Sequence, residues 1–403
     1  MKRYLFPLAL CLFASLAFAK TSVAAPQATV TEKNATTAVN HLAADLYRLL
    51  AETDGNICFS PYSISTAFAM TFAGTAGETA QEMSRALYFT DDIHRSNATL
   101  ARKIAGGPDG SGELHVANSL WPRREYVFRP PFKKILEESY ATEVRPQDFV
   151  KNPERVRSAI NDWVAEKTRE KILDLLAPGT VREDTALVLV NAIYFKASWL
   201  NAFLEANTSP EVFQSPQKTY EVPTMKKEET LSYYEGTNFH SIKMLYRHGM
   251  FSMTVLLPYE GRSLADLEGA LTYDLFNMME RTAQKRSVEV WLPKFRVEST
   301  FRLNDAMRAL GVERAFVPGE ADFSGMNGEQ DLYISEAVHK AFIEVEEKGT
   351  EAAAATAIGM RATAAPVFEP EEPLPFHVDR PFVYLIRDEI SGAILFMGKV
   401  VTP

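Results

Sequence analysis

Cysteine is nearly absent from this 403-residue chain, which has only Cys11 and Cys58. Cys11 lies in an N-terminal segment that we predict is removed, so a single cysteine remains and no intrachain disulfide can form. A chain without disulfides depends on its hydrophobic core for stability, and this one is long enough to build a large core. Cys58 stands in an apolar run, which favours a small buried residue over a catalytic thiol, since no histidine-bearing partner motif accompanies it.

Motifs for catalysis and metal binding are also missing. The sequence has no Gly-x-Ser-x-Gly elbow, no His-Glu-x-x-His pair and no cysteine or histidine cluster, and its seven histidines are scattered singly. The nearest match to a phosphate-binding loop, at 392–399, lies in a strand pattern, and its glycines enclose five residues where the motif needs four. We predict no enzyme, no catalytic residue, no metal and no cofactor; only a site assembled from distant residues would escape this test.

An excess of positive charge is the third absence. The net charge is −9, which gives no support to binding of nucleic acid or of an anionic lipid surface. Two short basic pairs, at 123–124 and 133–134, are interpreted as solvated surface rather than as a polyanion site. The hydrophobic content of 46% and the charged content of 24% are ordinary for a globular protein.

The N-terminus has the composition of a secretory signal. Lys2 and Arg3 precede an apolar stretch at 4–18 that is too short for a comfortable membrane span. The small-x-small sequence at 17–19 predicts a signal peptide of residues 1–19, with an alternative end at 25 and an uncleaved anchor as the competing interpretation. We therefore expect a secreted protein, extracellular or periplasmic, with no membrane contact after the signal is removed. Residues 20–37 are polar and predict a disordered lead-in, and 38–403 a single domain.

Local patterns place helices mainly in the first part of the chain and strands in the second. Ser60 and Pro61 have the types of an N-cap and a first helical residue. Residues 186–195 form a nearly continuous apolar run, which predicts a strand buried on both faces. From residue 219 onwards most of the patterns are those of strands. This order indicates one α+β domain.

The segment at 346–356 is the most unusual part of the sequence. It is rich in glutamate and alanine, and it follows one strand pattern and precedes others, whereas a long loop inside a compact domain is uncommon and usually functional. Every second residue from Thr350 to Met360 is uncharged, while Glu351 and Arg361 belong to the other set. Because side chains alternate between the two faces of a strand, this segment could enter a sheet with its uncharged face towards a core. The competing interpretation is an alanine-rich surface loop.

Several separate stretches resemble the motifs of one family, the serpins, in the expected order. They are Asn56–Ser65, Val190–Lys196 with Trp199 and Phe203, Leu292–Phe295, Ala321–Met326, Ile334–Ala341, the glutamate-rich segment, Arg380–Phe382 and Phe396–Val400. The resemblance covers roughly residues 38–403 and is specific, because so many motifs agree.

The resemblance implies a fold of three β-sheets, eight or nine helices and an exposed reactive centre loop at about 347–375. It also implies an inhibitor that a target protease attacks as a substrate. The cut loop then inserts into the central sheet and traps the acyl-enzyme. The implied partner is a serine protease, with cysteine proteases as a further class, and the implied state is a monomer. The alternative is a non-inhibitory serpin that acts as a carrier or chaperone.

The resemblance also assigns roles to residues. The hinge of the loop comprises Glu347, Gly349, Thr350, Glu351, Ala352, Ala353, Ala354, Ala355 and Thr356. Counting from Gly349 puts the reactive bond at Thr363–Ala364, which suits an elastase- or subtilisin-like protease. The long, proline-rich stretch after it leaves the bond uncertain by a few residues: cleavage after Arg361 would indicate a trypsin-like target and cleavage after Met360 a chymotrypsin-like one.

Two further groups are implied within the sheet. Ser60, Ser63, Asn191 and His339 match a buried polar cluster, the shutter, that lets the central sheet open. Lys196 and Trp199 match the breach, the region where insertion begins. His339 and Trp199 would fit equally well as ordinary core residues.

Overall fold

The computed structural model describes residues 30–105, 107–108, 112–350 and 372–403. The described residues contain ten α-helices and fourteen strands. The helices are α1 Val30–Leu50, α2 Pro61–Phe72, α3 Gly77–Ala86, α4 Ile93–Ala105, α5 Pro130–Tyr140, α6 Pro153–Lys167, α7 Leu264–Glu268, α8 Tyr273–Thr282, α9 Leu303–Ala309 and α10 Ser324–Asn327. The strands are β1 Ile57–Phe59, β2 Glu113–Pro122, β3 Leu187–Ser198, β4 Ser209–Gln214, β5 Thr219–Glu235, β6 Phe239–Leu245, β7 Phe251–Pro258, β8 Gln284–Pro293, β9 Phe295–Arg302, β10 Glu336–Glu346, β11 Gly349–Thr350, β12 Leu374–His377, β13 Phe382–Asp388 and β14 Ile394–Val400.

The first helix begins earlier than the sequence patterns indicated. Residues 30–37 fall in the range predicted to be a disordered lead-in, yet α1 starts at Val30. Ala35 and Ala38 are fully buried in the main core, and burial of these small side chains holds the first turns of the helix in place. Composition alone missed this, because alanine- and threonine-rich sequence is compatible with both states. The predicted signal peptide lies outside the described residues.

Five strands form the sheet that contains Glu346, Gly349 and Thr350, in the order β2-β3-β11-β10-β9. β3 and β10 are parallel and pair directly over seven residues, from Val188 opposite Glu336 to Tyr194 opposite Phe342. Beyond that point the two-residue strand β11 lies between them. β3 is buried along nearly its whole length, as predicted from its apolar run.

Nine strands form the second hydrogen-bonded network, which the long strand β5 divides into two parts. The first residues of β5 pair with β4, its middle with β8 and its last four residues with β6. On one side lie β1, β14, β13, β7 and β6, and on the other β4, β8 and β12. The described residues thus form two hydrogen-bonded sheets where three were expected, because β5 joins the two parts of the second one; the α+β class is confirmed. The helix count exceeds eight or nine because two of the ten, α7 and α10, have only five and four residues.

Two cores cover the two faces of the five-stranded sheet. The larger lies between this sheet, the second network and helices α1 and α2. The smaller lies under α6, where Val188, Val190 and Tyr194 of β3 meet Ile160 and Val164 of the helix. As predicted, α2 starts at Pro61, and the Ser60 side chain accepts a hydrogen bond from the Ser63 amide. Within the described ranges no helix has both the length and the apolar character needed to cross a membrane.

Candidate functional site

The end of β10 folds back on itself and enters the sheet. After Glu346 the chain turns through Glu347 and Lys348, and Gly349 and Thr350 then run antiparallel to both β10 and β3. Gly349 pairs with Ser198, and Thr350 with Ala197. The first residues of the glutamate-rich segment therefore already occupy a place between two strands that are parallel neighbours further along.

Gly349 is required by this position for two reasons. Its φ of +152° lies in a region that residues with a side chain rarely adopt. A Cβ at this position would also collide with the carbonyl oxygen of Ala197 and with the backbone of Ser198. The close approach of the two backbones thus depends on glycine.

Thr350 points into the main core. It is fully buried, and its hydroxyl forms a 2.6 Å hydrogen bond with the hydroxyl of Tyr246. Tyr246 stacks on Trp199 with ring centroids 4.4 Å apart and an interplanar angle of 9°. Burial raises the pKa of Tyr246 far above its ordinary value, so this hydroxyl stays neutral. The site accepts a small polar side chain and gives a charged one no counterion.

Trp199 holds the turn that precedes β11. Its indole Nε1 donates to the carbonyl of Glu346 at 3.0 Å, and its backbone amide donates to the carbonyl of Lys348 at 2.9 Å. The amide of Phe203 donates to the carbonyl of Glu347 at 2.9 Å. Trp199, which the sequence assigns to the breach, therefore donates hydrogen bonds directly to the backbone of the turn that precedes β11.

A charged contact holds the same turn to Lys294, the residue between β8 and β9. Lys294 Nζ lies 3.0 Å from a carboxylate oxygen of Glu347, and Thr208 Oγ1 donates to the other oxygen at 2.9 Å. Burial by itself would raise the pKa of Glu347, but hydrogen bonds from its own backbone, from Lys294 and from Thr208 outweigh burial, and the pKa is lowered. Glu347 is therefore ionised and held at neutral pH.

Lys196, the second residue assigned to the breach, lies apart from these contacts. It stands opposite Glu113 in the β2–β3 ladder. The pKa of Glu113 is lowered, chiefly by its hydrogen bond with His115 and to a smaller extent by the charges of Arg169 and Lys196. Lys196 is followed in the chain by Ala197, which pairs with Thr350, and its charge acts on Glu113 across the β2–β3 ladder.

The four shutter residues come together where β3 and β10 pair directly. His339 is fully buried, its Nε2 accepts from the amide of Ser60 at 3.1 Å, and its Nδ1 contacts the side-chain oxygen of Asn191. Asn191 donates to the carbonyl of Ser63 at 2.9 Å and to its hydroxyl at 2.5 Å. This cluster ties α2 to both strands, so separating β3 from β10 requires its rearrangement.

Asn118 is a fifth member of the cluster that sequence reasoning missed. Its side-chain oxygen accepts from Asn191 and, at 3.3 Å, from the hydroxyl of Ser63. Asn118 lies opposite Asn191 in the β2–β3 ladder, and a polar residue inside the strand pattern at 115–121 was the only available signal. The polar cluster therefore spans α2 and three strands.

Burial fixes the protonation state of His339. Loss of solvent lowers its pKa to about 3. Nε2 accepts from a backbone amide, so the neutral ring carries its proton on Nδ1 and donates it to Asn191. The imidazole is a neutral connector and lies away from any surface where a substrate could meet it.

The remaining hinge and reactive-bond candidates lie outside the described residues. They are Glu351, Ala352, Ala353, Ala354, Ala355, Thr356, Met360, Arg361, Thr363 and Ala364. Cys58 is fully buried, and burial raises the pKa of its thiol to about 12, which excludes a reactive thiolate. No cluster of three potential metal ligands occurs in the described part of the chain.

Two features characterise this fold: β11 lies between one pair of ends of β3 and β10, and a buried polar cluster joins the directly paired parts of the same strands to α2. Comparison with known families identifies the family that has this fold. Residues 37–403 match the family described as serpin (serine protease inhibitor). The chain belongs to the serpin family. The family is described as one of protease inhibitors, and the prediction that this protein is not an enzyme is confirmed.

Relatives of known sequence span nearly the whole chain. A leukocyte elastase inhibitor of Sus scrofa is 40% identical, over 90% of this chain and 97% of its own length. A leukocyte elastase inhibitor of Xenopus laevis is 36% identical, over 92% of this chain and all of its own length. A serpin-like protein of Thermococcus kodakarensis is 37% identical, over 92% and 86% of the two chains.

Solved structures agree with the fold. Serpin48 of the insect Tenebrio molitor superposes with a TM-score of 0.81 at 32% identity, over 93% of this chain and all of its own. Human thyroxine-binding globulin complexed with its hormone superposes with a TM-score of 0.83 at 29% identity, over 93% of this chain and all of its own. The same fold thus carries a serpin described as highly specific and a hormone-binding protein.

Proposed function

We propose that this protein is a suicide-substrate inhibitor of secreted serine proteases, which it traps by inserting its cleaved loop between β3 and β10. One observation carries the proposal: Gly349 and Thr350 already lie between these two strands, paired with both. Insertion would extend strand β11, with the residues after Thr350 pairing in turn with β3 and β10.

The alternation of the segment supports this direction of insertion. Thr350 faces the main core through Tyr246. In an extended strand the residues at 352, 354, 356, 358 and 360 would face the same side, and all of them are uncharged. Glu351 and Arg361 would face the other side. The register that the first two residues adopt is thus the one that keeps charge out of the core.

The chemistry requires only the target's own catalytic residues. The serine hydroxyl of the protease adds to the carbonyl carbon of the residue before the cut, and the peptide bond to the next residue breaks. The protease histidine delivers the hydroxyl proton to the departing amine, so an ester joins inhibitor and protease. Insertion of the loop then carries the attached protease along the sheet and distorts its site before water can cleave the ester.

The energy for this step comes from new strand pairing. Insertion separates seven directly paired residues of β3 and β10 and places a strand of about twelve residues between them. About two dozen backbone hydrogen bonds form, while those between the seven residue pairs of β3 and β10 are lost, so at about 1 kcal/mol net for each bond the gain is on the order of ten kcal/mol. This equals the stability of an ordinary domain, and the uncut form is therefore kinetically trapped.

The target follows from the reactive bond and from the relatives. Cleavage at Thr363–Ala364 leaves a small residue for the specificity pocket, which fits an elastase- or subtilisin-like protease. Relatives named leukocyte elastase inhibitors support the same class. The N-terminal signal pattern supports action outside the cell, and we propose that the protein acts there as a monomer. Cleavage after Arg361 or Met360 would instead indicate a trypsin- or chymotrypsin-like target.

The test is a set of incubations with elastase-, subtilisin-, trypsin- and chymotrypsin-like proteases and with a cysteine protease. We expect an SDS-stable band at the summed mass with at least one active serine protease, and none when its serine is blocked beforehand. Mass spectrometry of the released C-terminal peptide identifies the bond. Cleavage of the loop by every protease without a covalent band would contradict inhibition and favour a carrier role.

A further inference from the structure

The loop that connects β3 to β4 exposes apolar side chains close together. Leu200 is 48% exposed and Leu204 is 63% exposed, and Ala202 and Ala206 between and after them are exposed as well. A single exposed leucine is ordinary, whereas apolar side chains exposed together mark a surface that contacts another molecule. We call these four residues the apolar strip.

The backbone of this loop is held in place by polar contacts on its inner side. The amide of Phe203 donates to the carbonyl of Glu347 at 2.9 Å. Nζ of Lys227 donates to the carbonyl of Asn201 at 2.7 Å and lies 4.5 Å from the centroid of the Phe203 ring. The side-chain amide of Asn201 donates to Glu229 at 2.6 Å. A fixed loop loses little conformational entropy when a partner binds, so it is well suited to docking.

The apolar strip borders the beginning of the reactive loop. Glu205, within the strip, forms an ion pair of 3.4 Å with Lys348, two residues before Thr350. The predicted reactive bond ends at Ala364, eight residues before Glu372, and eight residues span at most about 29 Å. A protease domain of about 200 residues has a radius of gyration of about 16 Å and measures roughly 40 Å across. A protease that holds this bond is therefore kept within reach of the surface around the ends of the loop.

The chemistry of the apolar strip indicates what part of a protease would meet it. Glu205 is the only charged residue in the stretch 200–206, and Lys348 already neutralises it. The strip therefore offers burial of apolar surface and no net charge. The substrate cleft of a protease that accepts small side chains is bordered by apolar groups, which match such a surface.

We propose that the apolar strip is a docking surface for the target protease, which contacts it while the uncut reactive loop occupies the protease cleft. Naming a protease as the partner rests on the proposed function, but docking does not require that the protease is trapped afterwards. The contact favours the encounter complex and so raises the rate of association. It is lost once the loop inserts, because the attached protease then moves along the sheet.

Docking is tested by the second-order rate constant for inhibition by the full mature chain, with the protease that gives the covalent band in the incubations above. We expect Leu204→Ser to lower this rate constant about tenfold, which corresponds to about 1.4 kcal/mol. The factor should be the same at low and high salt, because the contact is apolar. The stoichiometry of inhibition and the Tm should stay at their wild-type values, whereas a merely structural role in holding the turn at 346–348 would change both.

Val127→Ser is the matched control. Val127 is 78% exposed, and it follows β2, whose last residue Pro122 lies opposite Leu187 at the start of β3. The apolar strip follows Ser198 at the other end of β3, so the two surfaces lie at opposite ends of the sheet. Val127→Ser should leave the rate constant unchanged. An equal fall in Val127→Ser and Leu204→Ser would overturn the docking surface.

Other outcomes separate this proposal from the proposed function. If a protease cuts the loop without forming a covalent band, trapping is refuted, and docking is upheld when Leu204→Ser lowers kcat/KM for that cleavage about tenfold. Wild-type rate constants in the double variant Leu200→Ser/Leu204→Ser would refute docking alone. A wild-type dimer in sedimentation that becomes a monomer in the double variant would assign the strip to a second copy of this chain and also refute it. A loop that no protease of the panel cuts would refute both proposals.

Discussion

The two ends of the β3–β10 interface differ in what fills the space between the strands. At the hinge end Gly349 and Thr350 lie between them, held by Trp199 and Tyr246. At the shutter end the strands pair directly, and Asn191 and His339 lock them to α2. At the hinge end β3 and β10 are already separated by β11, whereas at the shutter end their direct hydrogen bonds must be broken before a strand can insert. We infer that the hinge end sets where insertion starts and the shutter end sets how fast it proceeds.

The largest expected effect comes from charge at the hinge end. Thr350→Arg would place an unpaired charge in a fully buried position that offers only the hydroxyl of a neutral tyrosine. We expect loss of the covalent protease band and complete cleavage of the loop, so that the inhibitor becomes a substrate. Thr350→Ser keeps the hydroxyl and should keep inhibition. A stable complex with Thr350→Arg would contradict the assignment of the hinge.

The next effect is the acid sensitivity of the shutter end. The pKa of His339 in the folded protein, about 3, is below that of an unfolded histidine, about 6.5. The unfolded chain therefore binds the proton first as the pH falls, so the stability contribution is intact above about pH 6.5 and is lost progressively towards pH 3. Burial also lowers the pKa of His94 and His240 to about 4, so they act in the same window.

The part of the acid sensitivity that is due to His339 is obtained by comparing the wild type with a variant that lacks this titratable ring. We expect His339→Gln, which stays neutral at every pH, to show a flatter decline in the free energy of unfolding between pH 6.5 and 4 than the wild type. Urea titrations across this range measure it. Identical slopes for the two proteins would show that the ring does not stay neutral in the folded state.

Removal of Asn191 should destabilise the shutter end by a smaller amount. Asn191→Ala leaves the buried Nδ1–H of His339 without a partner and the carbonyl of Ser63 with only the 3.4 Å bond from Asn118, at a cost of about 3 kcal/mol in the free energy of unfolding. Asn118→Ala should cost about 1 kcal/mol, because the bond between His339 and Asn191 remains. Asn327→Ala, which removes two exposed hydrogen bonds, to Asp331 and from the Glu329 amide, is the control. Equal losses in all three would argue against a shutter network.

The smallest effect concerns the charged contact at the turn. Glu347→Ala removes the partner of Lys294 and Thr208, and because the contact is partly exposed we expect a loss of about 1 kcal/mol or less. The turn should hold the loop less firmly, and the half-time of inhibitory activity on mild heating should shorten. Lys348→Ala, which breaks only the exposed contact with Glu205, should leave that half-time unchanged.

Local patterns predicted the elements that depend on local rules. Ser60 and Pro61 start α2 as expected, and the apolar run of β3 is buried on both faces. The motif order then gave the family, and with it the shutter and Trp199. The early start of α1 was missed, because its stability comes from tertiary burial of alanines whose neighbours are far away in the sequence.

The partners of the predicted residues could not be found in the same way. Asn118, Tyr246, Lys294 and Thr208 reach the site only because strands remote in sequence meet there. Lys196 likewise acts on Glu113 of β2, a partner that its position near Trp199 in sequence did not indicate. Contacts between distant elements decide both cases, and sequence spacing does not record them.

The most direct test compares the unfolding of the intact chain with that of the chain cut once in the reactive loop. If insertion between β3 and β10 separates their paired ends, the cut protein gains on the order of ten kcal/mol in the free energy of unfolding. Its Tm should then rise by about 10 °C or more in calorimetry. An unchanged Tm after cutting would mean that no additional strand forms, and the proposed mechanism would be wrong.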